Sequence, residues 1–133
     1  MTAAQLLAAL ALVFPQSAGL FRLETMTTLA TAAASHGIPA QVLAAVCFAE
    51  SRLATDPRAV SLCGTRVDHR YIDGALSADI AARSLARRHA ECRTWPRALV
   101  AYRWGLGCGA PDANGYAGRV LAIANRIERR TGR

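Results

Sequence analysis

The chain has 133 residues, 53% hydrophobic and 19% charged, with a net charge of +7. That length suits one domain, and the composition excludes bulk disorder. All 16 basic side chains are arginines, which excludes Schiff-base chemistry by lysine and a P-loop lysine, and suits polyanionic partners: nucleic acid, an anionic membrane or an anionic cell wall.

Alanine is abundant and β-branched residues are few, so the expected fold class is mainly α. Leu6, Leu7, Leu10, Leu12, Val13 and Phe14 form an apolar run that ends at Pro15. It is too short to span a bilayer comfortably. Residues 1–18 therefore read as an N-terminal apolar helix or a signal-like segment, and residues 19–133 as the domain. No Arg or Lys precedes the run, so a helix packed on the domain or on a partner is at least as good a reading. The first domain helix is expected over about Leu20–Ser35, stopped by His36-Gly37. Pro39 then opens a second helix that continues to Glu50. Asp56-Pro57 marks a turn, and 56–74 reads as an irregular loop with room for a short hairpin. Ser77 is the expected N-cap of a third helix running to Glu91. Thr94 caps a fourth, which Gly105 ends. A glycine-rich loop follows, and a last helix covers about Asn114–Arg129, with Tyr116, Val120, Ile123 and Ile127 on one stripe.

Four cysteines are present: Cys47, Cys63, Cys92 and Cys108. No C-x-x-C pair occurs. His89 and Cys92 share a helix face but do not make a metal site, so neither a metal nor a cofactor is expected. An even count in a small chain permits two disulfides, with three possible connectivities. The alternative for Cys47 is a buried free thiol inside an apolar helix.

Of the four glutamates, Glu24, Glu91 and Glu128 lie within three positions of an arginine or histidine and read as surface residues. Glu50 differs. Helical spacing places it on one face with Leu43, Val46 and Cys47, after a long uncharged stretch. A carboxylate at the end of a core-facing stripe is partly desolvated, which favours its protonated form. Such a group can protonate a leaving oxygen, as glycoside cleavage requires. Lysozyme is the standard case of this tuning. A structural ion pair with Arg52 is the plainer reading of the same residue.

The segment Glu50-Ser51-Arg52-Leu53-Ala54-Thr55-Asp56-Pro57-Arg58-Ala59-Val60-Ser61 resembles the motif of the soluble lytic transglycosylase family within the lysozyme-like superfamily. There a helix ends in E-S and leads into a loop reading roughly N-P-x-A-x-S. Downstream, Trp95-Pro96-Arg97-Ala98-Leu99-Val100-Ala101-Tyr102 is similar to the family's W-x-x-A-L-x-A-Y helix. Tyr116-Ala117-Gly118-Arg119-Val120 is similar to its closing Y-x-x-x-V. Together the three cover about Leu20 to Arg129, in the family's order. Two departures stand out. The family's G-L-M-Q is absent after Ser61, where Gly64 keeps only the first glycine, and Arg103 replaces the asparagine after the family's tyrosine.

The resemblance implies a lysozyme-like helical domain that cleaves the β-1,4 bond between N-acetylmuramic acid and N-acetylglucosamine. Glu50 would be the acid/base, Ser51 would shape the helix end, and Tyr102 would lie near the carboxylate; Ser61 and Gly64 join Ser51 and Tyr102 as expected substrate contacts. A transglycosylase needs no second carboxylate. A hydrolase usually does, and Asp68 is the best candidate. A Cys63–Cys108 bridge could fix the loops that the missing motif normally holds. The implied partner is the peptidoglycan glycan strand, with virion or envelope proteins reached through the N-terminal segment. The implied location is periplasmic, extracellular or virion-associated. Two other readings stay open: a basic helical nucleic-acid binder, although the arginines are split between helices without a helix-turn-helix, and a catalytically inactive lysozyme-like structural or wall-binding protein.

Overall fold

The computed structural model describes residues 1–56, 61–65, 73–105 and 107–131. Among these the fold is all helical, with no strand. The helices are α1 (Ala3–Val13), α2 (Leu23–His36), α3 (Ala40–Ser51), α4 (Gly74–Cys92), α5 (Trp95–Trp104) and α6 (Tyr116–Arg129), with short 3-10 turns at Pro15–Leu20 and Ala113–Gly115. The hairpin expected after α3 falls mostly on residues outside the described ones. No helix among the described residues is long and apolar enough to cross a membrane.

α3 is the centre. Every residue from Val42 to Cys47 is buried, so this helix is apolar all round rather than amphipathic. It packs on α2, α4 and α6. Each leucine- or valine-sized side chain buried here contributes about 1.5–3 kcal/mol of transfer free energy. α6, by contrast, buries one stripe: Tyr116, Val120 and Ile127 are covered, while Ile123 is only partly so. α5 packs on α4 and α6.

The apolar run at the N-terminus is α1, which opens with a capping box: Thr2 Oγ1 accepts from Gln5 N, and Gln5 Oε1 accepts from Thr2 N. Leu6, Ala9, Leu10 and Val13 belong to the same core as α3. Phe14 stacks on Phe48 of α3 at 3.8 Å between ring centroids, and Phe21 meets both rings edge-on. This aromatic trio fastens the segment to the central helix.

Local punctuation sets several boundaries as expected. Gly37 adopts the left-handed conformation that ends α2, Pro39 precedes α3, and Gly105 ends α5. Two expectations need correction. α2 begins at Leu23 because Pro15–Leu20 forms a 3-10 turn instead. The cap of α4 is Asp73, whose Oδ1 accepts from Leu76 N at 2.8 Å. Ser77, the expected cap, lies inside the helix and is fully buried.

Candidate active site

Glu50 stands in the last turn of α3. The helix closes there by a hydrogen-bonding pattern in which Arg52 N donates to Phe48 O at 2.8 Å and Leu53 N reaches back to Cys47 O at 3.5 Å. Arg52, Leu53 and Ala54 all take positive φ, at 52°, 59° and 64°. Left-handed backbone costs a non-glycine residue about 1–2 kcal/mol, so three in succession are held by their surroundings. Leu53 is buried, and Ser51 Oγ accepts from Ala54 N at 2.9 Å. The same hydroxyl faces the carbonyls of Cys47 and Leu62.

The second part of the site is the loop 61–65, which returns over the end of α3. Cys63 is bonded to Cys47. Ser61 Oγ donates to Thr65 O at 2.7 Å, Ser77 Oγ contacts Ser61 Oγ at 3.2 Å, and Cys63 N donates to Ser77 Oγ at 2.9 Å. Three buried serines and a disulfide thus fix a five-residue loop. What they position is Gly64. Its φ is +73°, and a Cβ added there would lie 2.9 Å from both Cβ and Oε2 of Glu50. Only glycine permits both this backbone and this approach.

Two tyrosines complete the surroundings. Tyr116, at the start of α6, donates its hydroxyl to Glu50 Oε1 at 3.5 Å. Burial, then the Glu50 charge, holds its proton well above the ordinary tyrosine range. Burial likewise pushes Tyr102 up to about 12, with Glu50 adding to the effect and Arg103 opposing it. Both phenols are therefore neutral hydrogen-bond donors at physiological pH.

Glu50 and Arg103 border two adjoining pockets, the lobes of one groove. The larger, about 500 Å³, adds Phe48, Arg52, Trp104, Tyr116 and Arg119 to its walls. The smaller, about 250 Å³, adds Gly64, Thr65, Ser84 and Tyr102. Among the described residues Glu50 is the sole carboxylate lining either lobe. The Arg103 guanidinium lies over the rings of Trp104 and Tyr116, at 4.8 and 5.8 Å. The Trp104 indole N–H is buried and makes no hydrogen bond among the described residues.

The structure therefore brings Glu50, Gly64 and Tyr102 together. Ser51 and Ser61 do not line the groove; they are 1% and 2% exposed and anchor the loop from beneath. Asp68 lies outside the described residues. The other acids with a described role do different work: Asp112 accepts from the amides of Ala117 and Gly118, Asp79 pairs with His36, and Glu91 pairs with Arg87 and Arg88.

The cysteine readings are corrected. Cys47 is not a free thiol, and Cys63 does not bond to Cys108; the second bridge is Cys92–Cys108. The loop bearing Cys63 folds down onto α3, while Cys108 reaches the end of α4. His89 stacks on Trp95 at 4.2 Å, and among the described residues no cluster of His, Cys, Asp and Glu could hold a metal.

Three residues of the site escape sequence reasoning. Tyr116 reads there as a stripe residue and as the opening of a family motif with no role assigned, Ser77 as a cap and Arg103 as a departure from a motif. The only local signal was that Tyr116 carries a polar group at the glycine-rich end of its stripe, where a buried hydroxyl needs a partner. Comparison with protein-family profiles, with curated proteins and with solved structures gives no match to this chain.

Proposed function

We propose that this chain cleaves the β-1,4 glycosidic bond between N-acetylmuramic acid and N-acetylglucosamine in peptidoglycan, as a lysozyme-like lytic transglycosylase. The observation that carries the reading is the placement of Glu50. Among the described residues it is the one carboxylate of a two-lobed groove; it sits where the lobes meet and accepts from a phenol that stays neutral. A sugar chain laid through both lobes would pass its scissile bond over this group.

Protonated Glu50 gives its proton to the glycosidic oxygen as the C1–O bond breaks. The resulting carboxylate then takes the proton of the muramyl 6-hydroxyl as that oxygen bonds to C1. The product is a 1,6-anhydro sugar, and Glu50 ends protonated as it began. No water and no second carboxylate enters. A hydrolase would ordinarily place a second acid across the bond; among the described residues neither lobe offers one, and Asp68 lies outside them. The hydrogen bond from Tyr116 would steady the charge on Glu50 through the cycle, tightening from its resting 3.5 Å when substrate closes the site. Two disulfides fit an oxidising location, such as the periplasm, the cell exterior or a virion.

The test is mass spectrometry of fragments released from purified peptidoglycan by the wild type and by Glu50→Gln. The wild type is expected to release anhydro-muramyl products, and the variant at least about 100-fold less, the usual scale of a lost acid/base. Reducing-end products would turn the reading to a hydrolase. No products from either protein, across several wall chemotypes, would retire the catalytic reading.

A further inference from the structure

The larger lobe is markedly cationic. Arg52, Arg103 and Arg119 line it, against the carboxylate of Glu50 alone among the described residues. None of the three has an ion-pair partner among the described residues: the pairs formed there are His36–Asp79, Arg87–Glu91 and Arg88–Glu91. Arg119 donates to the carbonyl of Asn114. Arg103 rests on two aromatic faces, which orients its planar fork in advance, and it lines both lobes. A neutral ligand that filled this lobe would strip water from three guanidinium groups and return no charge. A carboxylate would meet them with short, charge-assisted and bidentate hydrogen bonds.

Resting on the glycan reading above, we propose that the larger lobe is an anion subsite that selects glycan strands bearing carboxylates, with Arg103 as the specificity-determining residue. In peptidoglycan two sources supply that group: the lactyl ether of muramic acid when its peptide is absent, and the acidic residues of the stem peptide when it is present. A polymer of N-acetylglucosamine supplies none.

Calorimetric titration decides the matter, in a Glu50→Gln background so that no ligand is consumed. The ligands are chitohexaose, a glycan strand stripped of peptide so that it carries lactyl carboxylates, and a peptide-bearing strand of the same length. At low ionic strength an acidic strand is expected to bind about tenfold more tightly than chitohexaose, about the scale of one charge-assisted hydrogen bond. That ratio should shrink at about 150 mM salt. Adding Arg103→Gln should bring it close to one, and Arg103→Lys should restore part of it, since lysine keeps the charge but not the fork. A distorted groove would weaken all three ligands together and leave the ratio unchanged. Preference for the stripped strand assigns the lactyl carboxylate, and preference confined to the peptide-bearing strand assigns the stem. Equal affinity for all three ligands, or a ratio that survives Arg103→Gln, overturns the anion subsite while cleavage by the wild type keeps the glycan reading. If none of the three binds and the wild type releases no fragments, both proposals fall together.

Discussion

α2 and α3 both end on a left-handed residue, but the closing amide reaches five residues back in α2 and six in α3. In α2, Ile38 N donates to Ala33 O at 3.0 Å and the left-handed residue is Gly37. In α3, Leu53 N reaches Cys47 O, and the left-handed residue is Arg52, followed by Leu53 and Ala54 in the same region of backbone space. The first ending is relaxed and solvent-facing. The second is strained, and it lies against Glu50 and the Gly64 loop. The difference teaches where this fold has spent stability. A glycine would have closed α3 at lower cost; instead a disulfide, three serine hydroxyls and the burial of Leu53 hold a conformation that the chain alone would not favour. Backbone strain beside a candidate catalytic carboxylate is the pattern expected of a site whose geometry is imposed.

The largest test of that contrast is to remove the bridge. Cys47→Ser with Cys63→Ser should cost about 2–5 kcal/mol in denaturant melts and abolish fragment release even below the melting temperature. Cys92→Ser with Cys108→Ser is the matched control, because both bridges span 16 residues. Chain-entropy arguments give the two losses a similar size, but the second bridge joins the end of α4 to the loop after α5 and should leave release intact. Equal loss of activity in both would break the comparison. Next in size is Gly64→Ala. With a Cβ 2.9 Å from Glu50 and a φ of +73°, it should destabilise by about 1–3 kcal/mol and lower activity by roughly tenfold or more, the usual penalty for a displaced catalytic group.

A sharper pair compares the two helix ends directly. Gly37→Ala should destabilise by about 1–2 kcal/mol, and Ala54→Gly should stabilise by up to about 1 kcal/mol, because the same backbone region favours opposite residues. Two losses of stability would mean that Ala54 is not strained. The smallest effect concerns pH. An unfolded tyrosine releases its proton near 10, whereas Tyr102 keeps its proton up to about 12. Between these values the folded state binds the extra proton, so stability should fall as pH rises through this window, while the contribution is fully present below 10. Tyr116 adds a slope of the same sign. Urea melts of Tyr102→Phe should show part of that slope removed, with little change at neutral pH.

Much of the helical frame is legible because it is written locally. Gly37, Pro39 and Gly105 punctuate within a turn of where they sit, and the uncharged run before Glu50 announces a buried central helix. What resists reading is what acts at a distance. Ser77 has the chemistry of a cap, yet Asp73 caps α4, and the buried hydroxyl of Ser77 instead secures a loop 14–16 residues earlier. Cysteine pairing is a three-way choice until the loop is seen to fold onto α3 rather than across the groove. Arg103 reads as a lost asparagine; only the two rings beneath it reveal an oriented cation. The meeting of Glu50 with Gly64 and Tyr102 was reachable through the family resemblance, not through any periodicity in the chain.

The buried indole N–H of Trp104 has a practical consequence. The chain holds two tryptophans, and they occupy different settings. Trp95 packs against the small cluster that contains Cys92 of the second bridge, a neighbourhood that quenches emission, and it stacks on His89. Trp104 lines the larger lobe beneath Arg103. The protein's intrinsic fluorescence is therefore weighted toward the groove, and a ligand that excludes water there changes its colour. Occupancy of the site can be followed by eye of the spectrometer alone, without a label and without turnover.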